Sequence, residues 1–326
     1  MSSSNGTFLP DDAIVRPTTI IEATRLDAHL AHLGVKIVLA SETFQRTGSF
    51  KFRAAYHVAT NVPQKLLITA SSGNFGQALA YACALTGKSC IIVMPSTSSQ
   101  IKIAAVREYG GRVELIDTRS KSRKQRVQEL AAENPRAYVA ASADDPLVIE
   151  GNSSLGREIA ALNRPFDAVI SPVGGGGIAS GLIVGLRRAG CAIPVIGAEP
   201  LLGNDGARSL REGRIVVSEF EPDTIADGAR TLSVGAHNWR ILQHGLQGII
   251  EVPEDKIAEA VGLLFVRANL KAEPTGALSL GAVLTAPERF KNQTVCCVVS
   301  GGNVDPSTYA KLLLDGQAGE PSASSS

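Results

Sequence analysis

Short runs of aliphatic and β-branched residues alternate along this chain with longer stretches whose apolar residues recur near every 3.6 positions. The pattern predicts strands over 36–40, 66–70, 90–94, 113–116, 137–140, 168–171, 194–198, 248–252 and 294–299. Helical spacing fills most of the gaps, as over 76–85, 100–109 and 124–133. Hairpin signals are few, so a strand must return through a helix before the next can pair with it. That connectivity gives parallel sheets covered by helices, an α/β fold. In such folds ligands collect beyond the carboxyl ends of the strands, where loops turn into helix N-termini. Chemistry is therefore expected in the loops directly after strands.

Composition narrows the partners. The 326 residues suffice for one large domain or two lobes, and 44% hydrophobic against 19% charged residues supplies a substantial core. Lys plus Arg number 32 and Asp plus Glu 31, so the basic footprint that nucleic acid or an anionic membrane needs is missing. Apolar runs such as 90–94 and 295–299 are too short to span a bilayer. The first residues show neither the basic nor the apolar region of a secretory signal. Cys83, Cys90, Cys191, Cys296 and Cys297 form no CxxC pair and read as buried reduced thiols. The expectation is a cytoplasmic protein that binds neither nucleic acid nor membrane. Residues 1–5 and the tail 317–326 are small and polar, and are expected to be disordered.

Four post-strand loops are unusual. The first is Ser41-Glu42-Thr43-Phe44-Gln45-Arg46-Thr47-Gly48-Ser49-Phe50-Lys51-Phe52-Arg53, which tightens into a helix start with Lys51 between two phenylalanines. A lone helical lysine is ordinarily a solvated surface group. One desolvated by apolar neighbours has a depressed pKa and serves as an amine nucleophile. The second, Ser71-Ser72-Gly73-Asn74-Phe75-Gly76-Gln77, reads as a plain helix cap or as a nest of N–H groups for a substrate carboxylate. The third carries four successive glycines, Gly174, Gly175, Gly176 and Gly177, between strand and helix. Such a run is costly in entropy, and its use is to let backbone N–H groups wrap a phosphate. The fourth, Ser300-Gly301-Gly302-Asn303, is a tight turn with or without a ligand.

The glycine run has a second reading. Gly174, Gly176 and Ala179 fit G-x-G-x-x-A, and Glu199 ends the next predicted strand, as in an NAD-dependent Rossmann dehydrogenase. That alternative leaves Lys51 and the 71–77 loop without a task. A phosphate cofactor that needs a covalent lysine, pyridoxal 5'-phosphate, uses all four loops.

Taken in order, the motifs at 41–53, 71–77, 174–177 and 300–304 resemble the serine/threonine dehydratase and serine racemase family of fold-type II pyridoxal-phosphate enzymes. The resemblance implies two parallel-sheet lobes, tryptophan synthase β-like. Residues 1–60 and 144–316 would form the large cofactor-binding domain and 61–143 the small one. Lys51 is implied as the Schiff-base lysine, with Phe50 against the cofactor, Asn74 at its phenolic oxygen, Gly174 to Gly177 at its phosphate and Ser300 at its pyridine nitrogen. Ser72 matches the position where a racemase keeps its second acid/base, on the substrate face opposite Lys51. Ser71, Gly73 and Phe75 would line the substrate, and Arg123 would meet its carboxylate. Glu199, the Gly203 carbonyl and Asp205 match the family's divalent-cation site, an all-oxygen set suited to Mg²⁺ or Ca²⁺; a plain acidic loop is the alternative.

The implied activity is β-elimination from a β-hydroxy amino acid such as L-serine or L-threonine, giving a 2-oxo acid and ammonia. Serine racemisation and 3-hydroxyaspartate ammonia-lyase activity are the alternatives. The family also implies a homodimer. Lys51-Phe52-Arg53, in place of the Lys-Asp-Arg of the cysteine-synthase branch, favours elimination over β-replacement. The chain ends soon after the 300 loop, so no isoleucine-sensing regulatory domain is expected. Three stretches depart from the family pattern. Phe75 replaces a histidine, Glu150-Gly151-Asn152-Ser153-Ser154 replaces Gly-Gln-Gly-Thr, and 230–235 is altered. All three lie where the substrate side chain is expected.

Overall fold

The central strands read as unbroken apolar runs because both of their faces are buried. In the computed structural model, which describes residues 14–71, 73–98 and 100–317, the strands are β1 (Thr19–Glu22), β2 (Lys36–Ser41), β3 (Leu66–Ala70), β4 (Ser89–Pro95), β5 (Arg112–Ile116), β6 (Tyr138–Val139), β7 (Ala168–Pro172), β8 (Val195–Pro200), β9 (Leu246–Val252) and β10 (Thr294–Val299). They form a six-stranded sheet, ordered β1-β2-β10-β7-β8-β9, and a four-stranded sheet, β5-β4-β3-β6. Along β10, Val295, Cys297 and Val299 enter the core on one face while Cys296 and Val298 enter the core on the other. In the smaller sheet Leu67 and Ile92 face one core and Ile68, Ile91 and Val93 the opposite one. Strands buried on both sides are what parallel sheets between helical layers require.

The α/β class with two parallel-sheet lobes is therefore observed. Among the described residues all the strand pairings are parallel but one: β1 runs antiparallel to β2 on the edge. β1 lies outside the predicted strands, and the strand expected over 137–140 shortens to two residues. No helix among the described residues is long and apolar enough to cross a membrane. The cysteines are free, four of them buried and Cys191 half-buried. Residues 1–5 lie outside the described residues; of the tail only Gln317 is described, closing helix Pro306–Gln317.

Helix Lys51–Asn61 is where the two sheets meet. It follows β2 of the large sheet, yet its Phe52, Ala55, Val58 and Ala59 pack into the same core as Leu67, Leu79 and Ile92 of the smaller lobe. Arg53, buried on this helix, ties it down. Its guanidinium meets both oxygens of Glu42 (2.6 and 2.9 Å) and both of Glu158 (2.6 and 2.9 Å), together with the Ser154 hydroxyl at 2.9 Å. A two-sided fork of this kind fixes position as well as charge.

Candidate active site

The loops after β2, β3, β7 and β10 converge on one cleft of about 1360 Å³. Phe50, Lys51, Gly73, Asn74 and Phe75 line it, as do Gly174, Gly175, Gly177 and Ser300. Ser71 and Arg123 reach its wall too. Ser72 lies outside the described residues.

Lys51 opens its helix at the cleft wall. Its Nζ sits 5.0 Å from the Phe50 ring centroid and 5.8 Å from that of Phe75, and donates to the Ser142 carbonyl at 2.7 Å. Burial lowers the amine from its usual 10.5 to about 8, with the nearby Glu273 carboxyl opposing the shift. A useful share of neutral amine therefore exists near physiological pH. The turn before it is under tension: Thr47, a β-branched residue, has φ +67°. The amide of Asn303 holds that turn through a 2.7 Å bond to the Thr47 oxygen. Gly48 allows the approach, since a Cβ there would lie 2.3 Å from the Asn303 side-chain oxygen.

Asn74 starts helix Asn74–Leu85 and is oriented by two partners that the sequence does not reveal. Its Oδ1 accepts from Asn303 Nδ2 at 2.8 Å, and its Nδ2 donates to Glu273 Oε1 at 2.7 Å. An amide nitrogen has two protons, so one remains for a ligand oxygen. Glu273 is buried, and burial together with the Asp227 charge raises its carboxyl to about 8, against the Asn74 hydrogen bond. In sequence Glu273 precedes Pro274 and reads as an ordinary helix cap. The side chain makes no capping bond and turns to Asn74 instead.

Ser300 is buried at the end of β10, and its carbonyl receives the Phe50 N–H at 3.0 Å. Ser71 has another role besides lining the cleft: its hydroxyl accepts from the Gly76 N–H at 3.0 Å, tightening the helix start. Phe75 is buried in the small-lobe core and presents its ring toward Lys51. Arg123, at the start of helix Arg123–Glu133, pairs with Glu221 at 2.9 Å, and Lys102 pairs with Asp227 at 2.8 Å. All four residues line the cleft.

The glycine loop leads into helix Gly177–Arg188, which has no side-chain cap at its N-terminus. An uncapped helix start behind a glycine loop suits a phosphate dianion. A Cβ at Gly176 would meet Asn238 and Leu242 of helix Ala236–Gly245, while Gly174, Gly175 and Gly177 line the cleft. The dinucleotide alternative does not survive, because Glu199 is fully buried and away from the cleft, its Oε2 accepting from the Ala207 N–H at 2.9 Å.

Glu199 and Asp205 occupy a buried site of their own beside the short helical turn Leu201–Gly203. Glu199 Oε1 and Asp205 Oδ2 have no hydrogen-bond partner among the described residues. Burial, and then Asp205, push the Glu199 carboxyl well up; burial raises Asp205 to about 6. Orphaned oxygens on two neighbouring carboxylates are the chemistry of a hard-cation site. No cluster of three or more His, Cys, Asp or Glu side chains occurs among the described residues, so main-chain oxygens and water would have to complete the set.

A two-lobed α/β scaffold presenting a desolvated lysine and an uncapped glycine loop to one cleft defines an enzyme built around a phosphate-bearing aldehyde cofactor. Residues 12–301 match the family described as pyridoxal-phosphate dependent enzyme, and the chain belongs to that family. It is 35% identical over 300 residues to an L-threo-3-hydroxyaspartate ammonia-lyase of Pseudomonas sp, covering 91% of this chain and 92% of that protein. To the serine racemase of Schizosaccharomyces pombe it is 33% identical over 282 residues, 85% and 87% of the two chains. The crystal structure of the T.th. threonine deaminase superposes with a TM-score of 0.80 at 38% identity, covering 89% of this chain and 92% of that one.

Proposed function

We propose that this protein deaminates a β-hydroxy amino acid by pyridoxal-phosphate-dependent β-elimination, water being lost from the β-carbon and regained on hydrolysis, so that a 2-oxo acid and ammonia result. The single observation that carries the reading is Lys51, whose amine is desolvated between two phenyl rings in the cleft that also holds the glycine loop. When bound, pyridoxal 5'-phosphate supplies the electron sink for the pair left at Cα. Gly174, Gly175, Gly177 and the uncapped helix start would hold the phosphate, with Gly176 behind them. Asn74 would give its free N–H to the phenolic oxygen, and Ser300 would be a neutral partner for the ring nitrogen. Lys51 would anchor the cofactor, and its amine is the base that would take the α-proton of the substrate. That proton, held on Lys51, would leave with the β-hydroxyl as water, and hydrolysis of the released enamine would give the 2-oxo acid and ammonia. Ser71, Ser72 and Gly73 would receive the substrate carboxylate, with Phe75 beside its side chain.

Two of the relatives point to the substrate. L-threo-3-hydroxyaspartate carries a second carboxylate, and Arg123, a cation of the cleft wall paired with Glu221, would receive it in exchange for that partner. Racemisation is the second reading, favoured by the serine racemase relative, with Ser72 as the acid/base on the face opposite Lys51. A divalent cation, Mg²⁺ or Ca²⁺, would sit between Glu199 and Asp205 with the Gly203 carbonyl, as their orphaned oxygens support. We place the enzyme in the cytoplasm as a homodimer; free thiols suit a reducing compartment, and sedimentation velocity tests the assembly.

The test is direct. Purified protein should absorb visible light, borohydride should bleach it and leave the label on Lys51, and a panel of β-hydroxy amino acids should release 2-oxo acid and ammonia. A colourless protein that gains nothing from added pyridoxal 5'-phosphate would overturn the reading.

A further inference from the structure

The glycine loop is held from behind by a corner that the reaction itself does not use. Helix Ala236–Gly245 starts there, capped by Asp144, whose carboxylate accepts from the N–H groups of Ala236 (2.9 Å), His237 (2.8 Å) and Asn238 (3.2 Å). Asn238 is fully buried, and its Nδ2 donates to the main-chain oxygens of Gly175 (2.8 Å) and Ala143 (3.1 Å). Only the donor end of an amide can face two carbonyl oxygens, so the orientation of the side chain is fixed. The Gly175 oxygen takes a second bond from the Gly235 N–H at 3.2 Å. On the other flank Asn152 Nδ2 donates to the Gly177 oxygen at 3.0 Å.

Gly176 shows how closely the loop is pressed to this corner. It turns at φ +96°, and a Cβ there would come within 2.7 Å of the Asn238 Cβ and 2.9 Å of Leu242 Cδ1. The loop thus has its oxygens engaged on the helix side, while Gly174, Gly175 and Gly177 face the cleft. First-turn N–H groups point out of a helix N-terminus. Their aim is set by the conformation of the loop on which that terminus rests. Both amides fall in or just after stretches that depart from the family pattern, Asn152 within 150–154 and Asn238 after 230–235.

We propose that Asn238 is a positioning residue for the cofactor phosphate. It does not touch the phosphate; it holds the Gly175 carbonyl back and so preorganises the loop that does. The proposal rests on the reading of the cleft as a pyridoxal-phosphate site.

The experiment compares two aldehydes on cofactor-free protein: pyridoxal 5'-phosphate and pyridoxal, which lacks the phosphate. Binding is followed by visible absorbance for wild type, Asn238→Ala and Asn238→Leu, the last keeping side-chain bulk without donors. Wild type should bind the phosphorylated form much more tightly. Both variants should lose roughly ten- to hundredfold in affinity for pyridoxal 5'-phosphate, the range seen when outer partners of other preorganised sites are removed, and keep their affinity for pyridoxal. Should Asn238→Ala fail to fold, Asn238→Leu carries the test. An unchanged preference for the phosphorylated form, or an equal loss for both aldehydes, overturns the role of Asn238 and leaves the cofactor reading standing. A wild type with no preference between the two overturns both.

Discussion

The amine of Lys51 donates to the main-chain oxygen of Ser142 across 2.7 Å, and a carbonyl can hold that amine without taking its proton. Loss of the proton to solvent is governed by burial, which brings the amine down to about 8. A lowered lysine pKa means that the neutral, reactive form grows in as pH rises and saturates above that value. Cofactor-free protein should therefore capture pyridoxal 5'-phosphate at a rate that climbs roughly tenfold per pH unit below about 8 and flattens above it. Stopped-flow absorbance over a pH series measures this. A rise continuing toward 10.5 would show an ordinary solvated lysine.

Lys51→Ala should abolish the borohydride-fixed label and lower turnover by about 10³-fold or more, since it removes both the anchor and the base. Peptide mass mapping and a 2-oxo acid assay check the two losses separately. A label that persists on another lysine would relocate the anchor.

Arg53→Leu should destabilise the fold by about 3–5 kcal/mol, because it strands the buried Glu42 carboxylate without its partner. The urea midpoint reports this. Replacing Arg119, whose pairing with Asp117 is exposed, should leave the midpoint where it is.

Chelation should lower the melting temperature, and Mg²⁺ or Ca²⁺ should restore it, a bound ligand at about a hundred times its Kd adding about 2.7 kcal/mol. The Glu199→Gln, Asp205→Asn protein should respond to neither treatment in a thermal scan. If it responds like wild type, the cation is held elsewhere.

Ser72→Ala separates the two candidate activities. In the proposed mechanism Lys51 serves one face of the α-carbon and Ser72 the other, so any conversion of L-serine to D-serine should vanish in this variant. Elimination from the L-substrate should fall only by the cost of one hydrogen bond, about 1–3 kcal/mol in the barrier. Chiral chromatography beside the 2-oxo acid assay reads both. Arg123→Gln should raise the KM for 3-hydroxyaspartate roughly tenfold and that for serine little, as expected for one charge-assisted hydrogen bond.

What can be read from the sequence is what local chemistry encodes. Each of the four convergent loops follows an apolar strand and is marked by glycine or hydroxyl residues, so their meeting in one cleft follows from parallel topology. Glu273, Asn303 and Asn238 carry no such mark. Glu273 looks like a helix cap, Asn303 like a turn residue and Asn238 like one polar position in an amphipathic helix; their partners Asn74, Thr47 and Gly175 are distant in sequence. β1 escapes because four residues, Thr19-Ile20-Ile21-Glu22, carry no alternation, and their pairing with β2 comes from the rest of the lobe. Gly176 cannot be told from its neighbours until the helix behind it is known.

The place of β10 in the large sheet has a consequence for biosynthesis. Among the described residues it is the last of the ten strands to leave the ribosome, yet it lies between β2 and β7. The four-stranded sheet is complete once residue 139 has emerged, whereas the larger sheet lacks its middle until 294–299 appear. Until then β2, and from residue 172 onward β7, expose unpaired edges, the condition that invites misassembly and chaperone capture. The Ser300 end of the cleft arrives with the same strand. A chain stopped short of β10 is thus an open sheet rather than a smaller enzyme.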